Sequence, residues 1–138
     1  MLKTRAEFYA LIRAFFYERN ILEVETPVIS YATATDPHLE SVVVSLKQQP
    51  DQTAQQYFLQ TSPEFPMKRL LAAGSGPIYQ ICKTFRNGET GSRHNPEFSM
   101  LEWYRPGFSL FELRDEVSAL LKRVLGITTV KTLTYRDA

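Results

Sequence analysis

Residues 78–104 constrain what this chain can fold into more than any other stretch, because they read as two β-arms joined by a polar loop. In the first arm, Ile78 to Arg86, alternation places Ile78, Gln80, Cys82, Thr84 and Arg86 on one face. The second arm, Phe98 to Tyr104, sets Phe98, Met100, Glu102 and Tyr104 against Ser99, Leu101 and Trp103. Asn87, Gly88 and Gly91 lie between the arms and suit left-handed turn geometry, so an antiparallel hairpin is expected.

The side chains of this hairpin are rich for a turn. Arg86 ends one arm, Glu89, Arg93 and His94 sit in the loop, and Asn95 opens the other arm. A strand face that sets Arg, Glu and Tyr beside Phe and Met is costly to bury without a polar ligand to pair with. The guanidinium fork is the usual partner of a phosphate or carboxylate, and Phe98 offers a flat surface for a planar base. A solvated hairpin with scattered charges accounts equally well for the residues taken alone.

Composition sets outer limits. A chain of 138 residues is one domain at most, large enough for a real core, and its net charge of +1 provides no global basic field to recruit nucleic acid. The single cysteine, Cys82, excludes a disulfide framework or a cysteine-rich metal site and fits a reducing cytoplasm. No apolar run approaches membrane-spanning length, so no membrane partner is expected.

The rest of the chain supplies scaffold. Ala6, Phe8, Tyr9, Ile12, Phe15 and Phe16 recur at helical spacing, Asn20 ends that helix, and residues 21–25 alternate like a strand before Thr26-Pro27. Asp36-Pro37-His38 is a turn, Ser41 to Leu46 a short strand, and residues 47–56 a polar loop; His38 has no second ligand-type residue at useful spacing and reads as structural or surface. Tyr57 to Thr61 is a strand, after which Ser62 caps a helix with Pro63 in its first position and Gly74 as its stop. Glu64 suits the helix dipole there, while Lys68 and Arg69 read as surface or supporting charges. Ser109 and Glu112 form a capping box, Phe108 and Leu113 occupy its staple positions, and Leu113, Val117, Leu120, Leu121 and Val124 make the buried stripe up to Gly126. Thr134 and Asp137 look like the opening of another helix.

The run RHNPEFSMLEWY within TFRNGETGSRHNPEFSMLEWY resembles motif 2 of the class II aminoacyl-tRNA synthetases, in the form carried by the lysyl branch. The helix, strand and Pro27 of residues 3–30 resemble motif 1 of the same family, and the likeness extends up to about Gly126. It implies an α+β fold, an antiparallel sheet flanked by helices, present here as an incomplete N-terminal part with motif 1 at about 3–30 and motif 2 at about 78–105. Neither a third motif nor an anticodon-binding domain is recognisable, so a fragment is expected, inert by itself yet able to fold.

The resemblance also implies roles. Arg86 holds the α-phosphate of ATP and the substrate carboxylate; Asn87, Gly88, Glu89 and Asn95 belong to the ATP-binding loop; His94 approaches the outer phosphates, and Phe98 stacks on adenine. Ser62, Glu64 and Tyr104 match positions that grip the amino-acid substrate, Glu64 taking an ammonium group, and Glu102 is added from its strand face. The motif 1 helix implies a homodimer. ATP and Mg²⁺ are the implied cofactors, with no metal ligand singled out in this chain. FRNGE and LEWYRPGF resemble the branch that attaches (R)-β-lysine to a lysine of elongation factor P in the cytoplasm, through an adenylate. A lysyl-tRNA synthetase fragment charging tRNA with lysine is the alternative, and an inactive dimerising or binding remnant is a third possibility.

Overall fold

The computed structural model describes residues 1–138, which divide into two compact units, Met1–Glu23 with Arg105–Ala138, and Val24–Tyr104. The composition is α+β.

The first unit is built on two helices, α1 (Leu2–Tyr17) and α3 (Leu110–Leu125), with the two-residue strand β1 (Leu22–Glu23) between them in sequence. The aromatic periodicity of α1 works in its second half, where Ile12, Phe15 and Phe16 are buried, whereas Phe8 is exposed. Phe15 and Phe16 meet edge to face at 5.4 Å, the geometry that the ring quadrupoles favour. Arg19 lies 3.5 Å over the Phe15 ring and donates to the Phe15 carbonyl, closing the helix end. The helix stops at Tyr17, three residues before the expected Asn20, and Asn20 instead takes the left-handed conformation that starts the exit. The strand expected over 21–25 is only Leu22–Glu23, and the Arg13 guanidinium fixes it through the Glu23 carboxylate at 3.0 Å.

Helix α3 starts at the expected capping box: the Ser109 hydroxyl accepts from the Glu112 amide, and the Glu112 carboxylate accepts from the Ser109 amide at 2.7 Å. Gly126, with φ of 66°, ends it. Of the predicted stripe only Leu120 is buried; Leu113, Val117, Leu121 and Val124 are half-buried. The other buried position is Glu116, which pattern reading passed over, and it forms an ion pair with Arg105 at 3.3 Å. Arg123 on α3 bonds Glu18 at 2.8 Å just past the end of α1. Past α3, the helix expected from Thr134 is one 3₁₀ turn, Tyr135–Asp137, with the Thr134 hydroxyl on the Asp137 carboxylate.

In the second unit, β2 (Ile29–Ser30) and β3 (Val43–Leu46) flank β4 (Gln55–Leu59), all antiparallel. The strand expected at 57–61 thus begins two residues earlier and takes up the end of the expected 47–56 loop, because Leu46 pairs with Gln55. The polypeptide between β2 and β3 is tied at its neck by the Thr33 and Ser41 hydroxyls. Asp36 turns it by accepting from the His38 amide at 2.8 Å, so exposed His38 has the structural setting expected of it.

Helix α2 (Glu64–Ala72) corrects the reading of its start: Pro63 is the cap residue, and Ser62, one position earlier, accepts only a long 3.4 Å bond from the Glu64 amide. Proline carries no N–H, so that position needs no capping acceptor and Glu64 becomes the first helical residue. Gly74 at φ of 87° ends the helix as expected.

The last two strands, β5 (Ile78–Phe85) and β6 (Glu97–Tyr104), form the antiparallel hairpin anticipated from the alternation, in a register running from Ile78 opposite Tyr104 to Phe85 opposite Glu97. Of the three loop residues proposed for left-handed geometry only Gly88 adopts it, at φ of 76°. Asn87 and Gly91 do not, because the loop is held by hydrogen bonds at both ends rather than by a tight two-residue turn.

Candidate functional site

The register fixes which side chains share a face. Gln80 lies opposite Glu102, Cys82 opposite Met100, and Thr84 opposite Phe98, so one side of the hairpin carries Gln80, Cys82, Thr84, Phe98, Met100, Glu102 and Tyr104. Gln80 and Thr84 are buried at its centre, and the Thr26 hydroxyl reaches the Gln80 amide at 3.0 Å. Thr26-Pro27, read from the sequence as a strand breaker, therefore also props up this face.

At one end of the face the Tyr104 hydroxyl donates to the Glu102 carboxylate at 2.7 Å. Burial pushes the Glu102 carboxyl above the usual carboxylate range; the Tyr104 bond opposes this, the Glu64 charge adds to it, and the Lys68 ammonium opposes it again. Burial, then the bond and charge of Glu102, push the Tyr104 phenol well upward, so it is a donor. Lys68 holds the Glu64 carboxylate one helical turn away. The Glu64–Lys68 pair thus acts electrostatically on Glu102, which sits beside a phenol donor. Glu64 and Glu102, both expected at the amino-acid substrate, act on one another electrostatically, and Lys68, read as a surface or supporting charge, is exposed and supports Glu64 from four residues further along the helix.

Arg86 stands at the other end, immediately after β5. Its amide still bonds across the hairpin to the Pro96 carbonyl at 2.9 Å, and its Nε donates to the Thr61 carbonyl at 3.4 Å. The guanidinium lies 5.2 Å over the half-buried Phe98 ring and 3.7 Å from the Glu89 carboxylate. Arg86, Glu89 and Phe98 are therefore brought together as one group.

The remaining loop residues are spread out. His94 and Asn95 are exposed, and the backbone of His94 pairs with that of Gly91. Asn87 turns its side-chain amide to the Glu40 carboxylate at 2.6 Å, a partner with no signal in the sequence because the two are 47 positions apart. Burial raises the thiol of half-buried Cys82 above its usual range, so it is a poor nucleophile.

A cleft of about 480 Å³ opens between residues 25–34 and α2. Ser62 and Glu64 line it together with Thr26, Ile29, Phe65 and Arg69, whereas Arg86, Glu102 and Tyr104 do not. The expected site residues therefore divide between two surfaces, the cleft and the hairpin face, which Glu64 links by lining the one and acting electrostatically on the other. The hairpin face carries Glu102, Tyr104 and Arg86, whereas the cleft is mostly apolar, with Glu64 and Arg69 among its charged lining.

The chain is 54% identical to the elongation factor P (R)-β-lysine ligase of Pseudoalteromonas translucida over 137 residues, covering 99% of this chain and 42% of that protein. It is likewise 54% identical to the ligase of the same name from Vibrio atlanticus and 53% identical to that of Vibrio cholerae, with the same coverage. The chain spans about 42% of the length of these relatives. The family model for tRNA synthetases class II (D, K and N) matches residues 1–134, and the chain belongs to that family.

Proposed function

We propose that the protein carrying this chain activates (R)-β-lysine with ATP and transfers it to a lysine of elongation factor P. The observation that carries the reading is the cluster of Glu64, Glu102, Lys68 and Tyr104 on one flank of the hairpin, with Arg86 and Phe98 on the other. One end is short of a cation and suits an amine; the other offers a cation and an aromatic plane and suits a phosphate and a purine. The names of the relatives support this choice of amine and acceptor.

Arg86 is the proposed catalytic residue. Its guanidinium bridges the substrate carboxylate and the α-phosphate, two anions whose approach needs neutralisation and fixed alignment. A carboxylate oxygen attacks the α-phosphorus and pyrophosphate departs. The acceptor ε-amine then attacks the acyl carbon, loses a proton and displaces AMP. Phe98 stacks the adenine, and Glu89, Asn95 and His94 line the nucleotide from the loop. Glu64 and Glu102 take the substrate ammonium groups, with Ser62 and Tyr104 completing the hydrogen bonds. Mg²⁺ would accompany the triphosphate and offset its charge. A homodimer through α1 and a cytoplasmic setting accord with this reading; no helix is long and apolar enough to cross a membrane.

Lysyl-tRNA synthetase chemistry is the second reading, favoured by the breadth of the matching family, which includes the lysine-specific enzymes. ATP–pyrophosphate exchange by the full-length gene product with β-lysine and with α-lysine decides between them. A strong preference for β-lysine, with acyl transfer to elongation factor P and none to tRNA, is expected; the reverse preference would overturn the proposal.

A further inference from the structure

The segment between β2 and β3 lines the cleft with residues 31–34, and beyond them it is more ordered than a spacer requires. The Thr33 and Ser41 hydroxyls close its neck. Inside it, the Asp36 carboxylate accepts from the His38 amide at 2.8 Å and the Asp36 carbonyl from the Leu39 amide at 3.2 Å. This folded loop delivers Glu40 to Asn87 in two ways. The Asn87 backbone amide donates to the Glu40 carbonyl at 2.8 Å, and the Asn87 side-chain amide donates to the Glu40 carboxylate at 2.6 Å.

The place of this grip matters. Arg86 makes the last cross-strand bond of the hairpin, to Pro96, and Gly88 has already turned into the left-handed region. Asn87 is thus where the backbone leaves the sheet, one peptide beyond the guanidinium-bearing residue. From Asn87 to Thr90 the other contacts are the 3.7 Å pairing of Glu89 with Arg86 and a 3.0 Å bond from the Thr90 amide to the Gly88 carbonyl. A charge-assisted side-chain bond added to a backbone bond at that point fixes the direction of departure.

We infer that Glu40 is a positioning residue, which through its two-point grip on Asn87 sets the take-off of the 87–95 loop and with it the pose of Arg86 toward nucleotide. The inference rests on the adenylate-forming reading and revises one part of it: the Asn87 side chain serves as the handle that Glu40 holds and does not itself contact ATP. The carbonyl arm of the grip survives any substitution at Glu40, so mutation isolates the carboxylate arm.

The test is a double-mutant cycle in the full-length gene product, read as kcat and KM for ATP in pyrophosphate exchange. Glu40→Ala and Asn87→Ala are each expected to lower kcat/KM for ATP on the order of 10-fold, with the double variant no worse than either single one. Glu40→Gln retains a carbonyl acceptor and is expected to stay within about 2-fold of wild type, a rescue that a charge effect on the nucleotide would not give. Additive losses, or an Asn87→Ala loss far larger than that of Glu40→Ala, would show Asn87 touching the nucleotide directly and overturn the assignment. If the wild type performs no exchange with either amino acid, the ligase reading falls instead. Hydrogen exchange at the Asn87 amide then judges the grip alone: faster exchange in Glu40→Ala than in wild type supports it, and an unchanged rate overturns it.

Discussion

The Arg86 guanidinium lies 5.2 Å from the centroid of the Phe98 ring, so the cation proposed for phosphate and the plane proposed for adenine touch each other. On the proposed function, a purine stacked on Phe98 would displace that contact and send Arg86 outward to the phosphates. The cost is small, about 0.5–1 kcal/mol for a cation–π pair that is not fully desolvated. A charge-assisted pair with phosphate more than offsets it.

Arg86→Ala is expected to keep the fold and lose adenylate formation by at least about 10²–10³ in rate, the usual effect of removing one such electrostatic contact. Arg86→Lys should recover little, because an ammonium cannot reproduce the planar fork. Pyrophosphate exchange measures both, with circular dichroism as the check on folding. Exchange at wild-type rates in the alanine variant would remove Arg86 from the mechanism.

Phe98→Ala separates binding of the base from neutralisation of the phosphate. Aromatic–base stacking contributes about 1–3 kcal/mol, so ATP affinity should weaken by roughly 5- to 150-fold. Phe98→Tyr, which keeps the ring, should remain close to wild type. Titration with ATP and with inorganic pyrophosphate distinguishes the roles, since only the ligand with a purine should sense the ring.

Much of this arrangement was legible from local patterns. Alternation along 78–104 gave the hairpin and its shared face, because a period of two leaves one way to assign faces once a register is set. Ser109 and Glu112 marked the start of α3 because both halves of a capping box lie within one turn. Other features depended on distant partners. Glu116 is buried because Arg105 meets it, although polarity in a helical stripe argues for exposure. Glu40 and Asn87 are joined only by the folded β2–β3 loop, and no period or spacing connects them. The left-handed assignments at Asn87 and Gly91 failed for the same reason, since anchored loop ends override the preferences of individual residues.

Stability of the helical unit offers a test independent of chemistry. Ser109→Ala removes the hydroxyl that caps α3 and should cost about 1 kcal/mol, within a usual range of about 0.5–2. Thermal unfolding measures this, and KM for ATP should not change. Phe16→Ala removes a fully buried ring and should cost about 3–5 kcal/mol. A Phe16→Ala effect no larger than that of Ser109→Ala would mean that the second half of α1 is not the core it is taken for.

Glu102 gives a prediction in pH. Burial holds its carboxyl above the ordinary range, with the Tyr104 bond, the Glu64 charge and the Lys68 charge following in decreasing effect. A carboxyl with a raised folded-state value binds its proton more tightly in the native than in the unfolded chain. Stability therefore falls as pH rises from the unfolded carboxylate's value of about 4.3 through the raised native one, and the loss is complete above it. Glu102→Gln removes that loss and can still accept the Tyr104 hydroxyl, so it should melt higher than wild type near neutral pH and converge with it below about pH 4. Affinity for an amine moves the opposite way. An ammonium ligand favours ionised Glu102, so wild-type affinity should rise with pH through the raised value, and binding there should release protons, detectable by calorimetry in buffers of different ionisation enthalpy. In Glu102→Gln the proton release should disappear and the amine should bind on the order of 10-fold or more weakly, as for loss of a charged hydrogen bond. A glutamine variant that is less stable at neutral pH, or one that binds the amine as well as wild type does, would show that Glu102 is held for the fold and not for a cation.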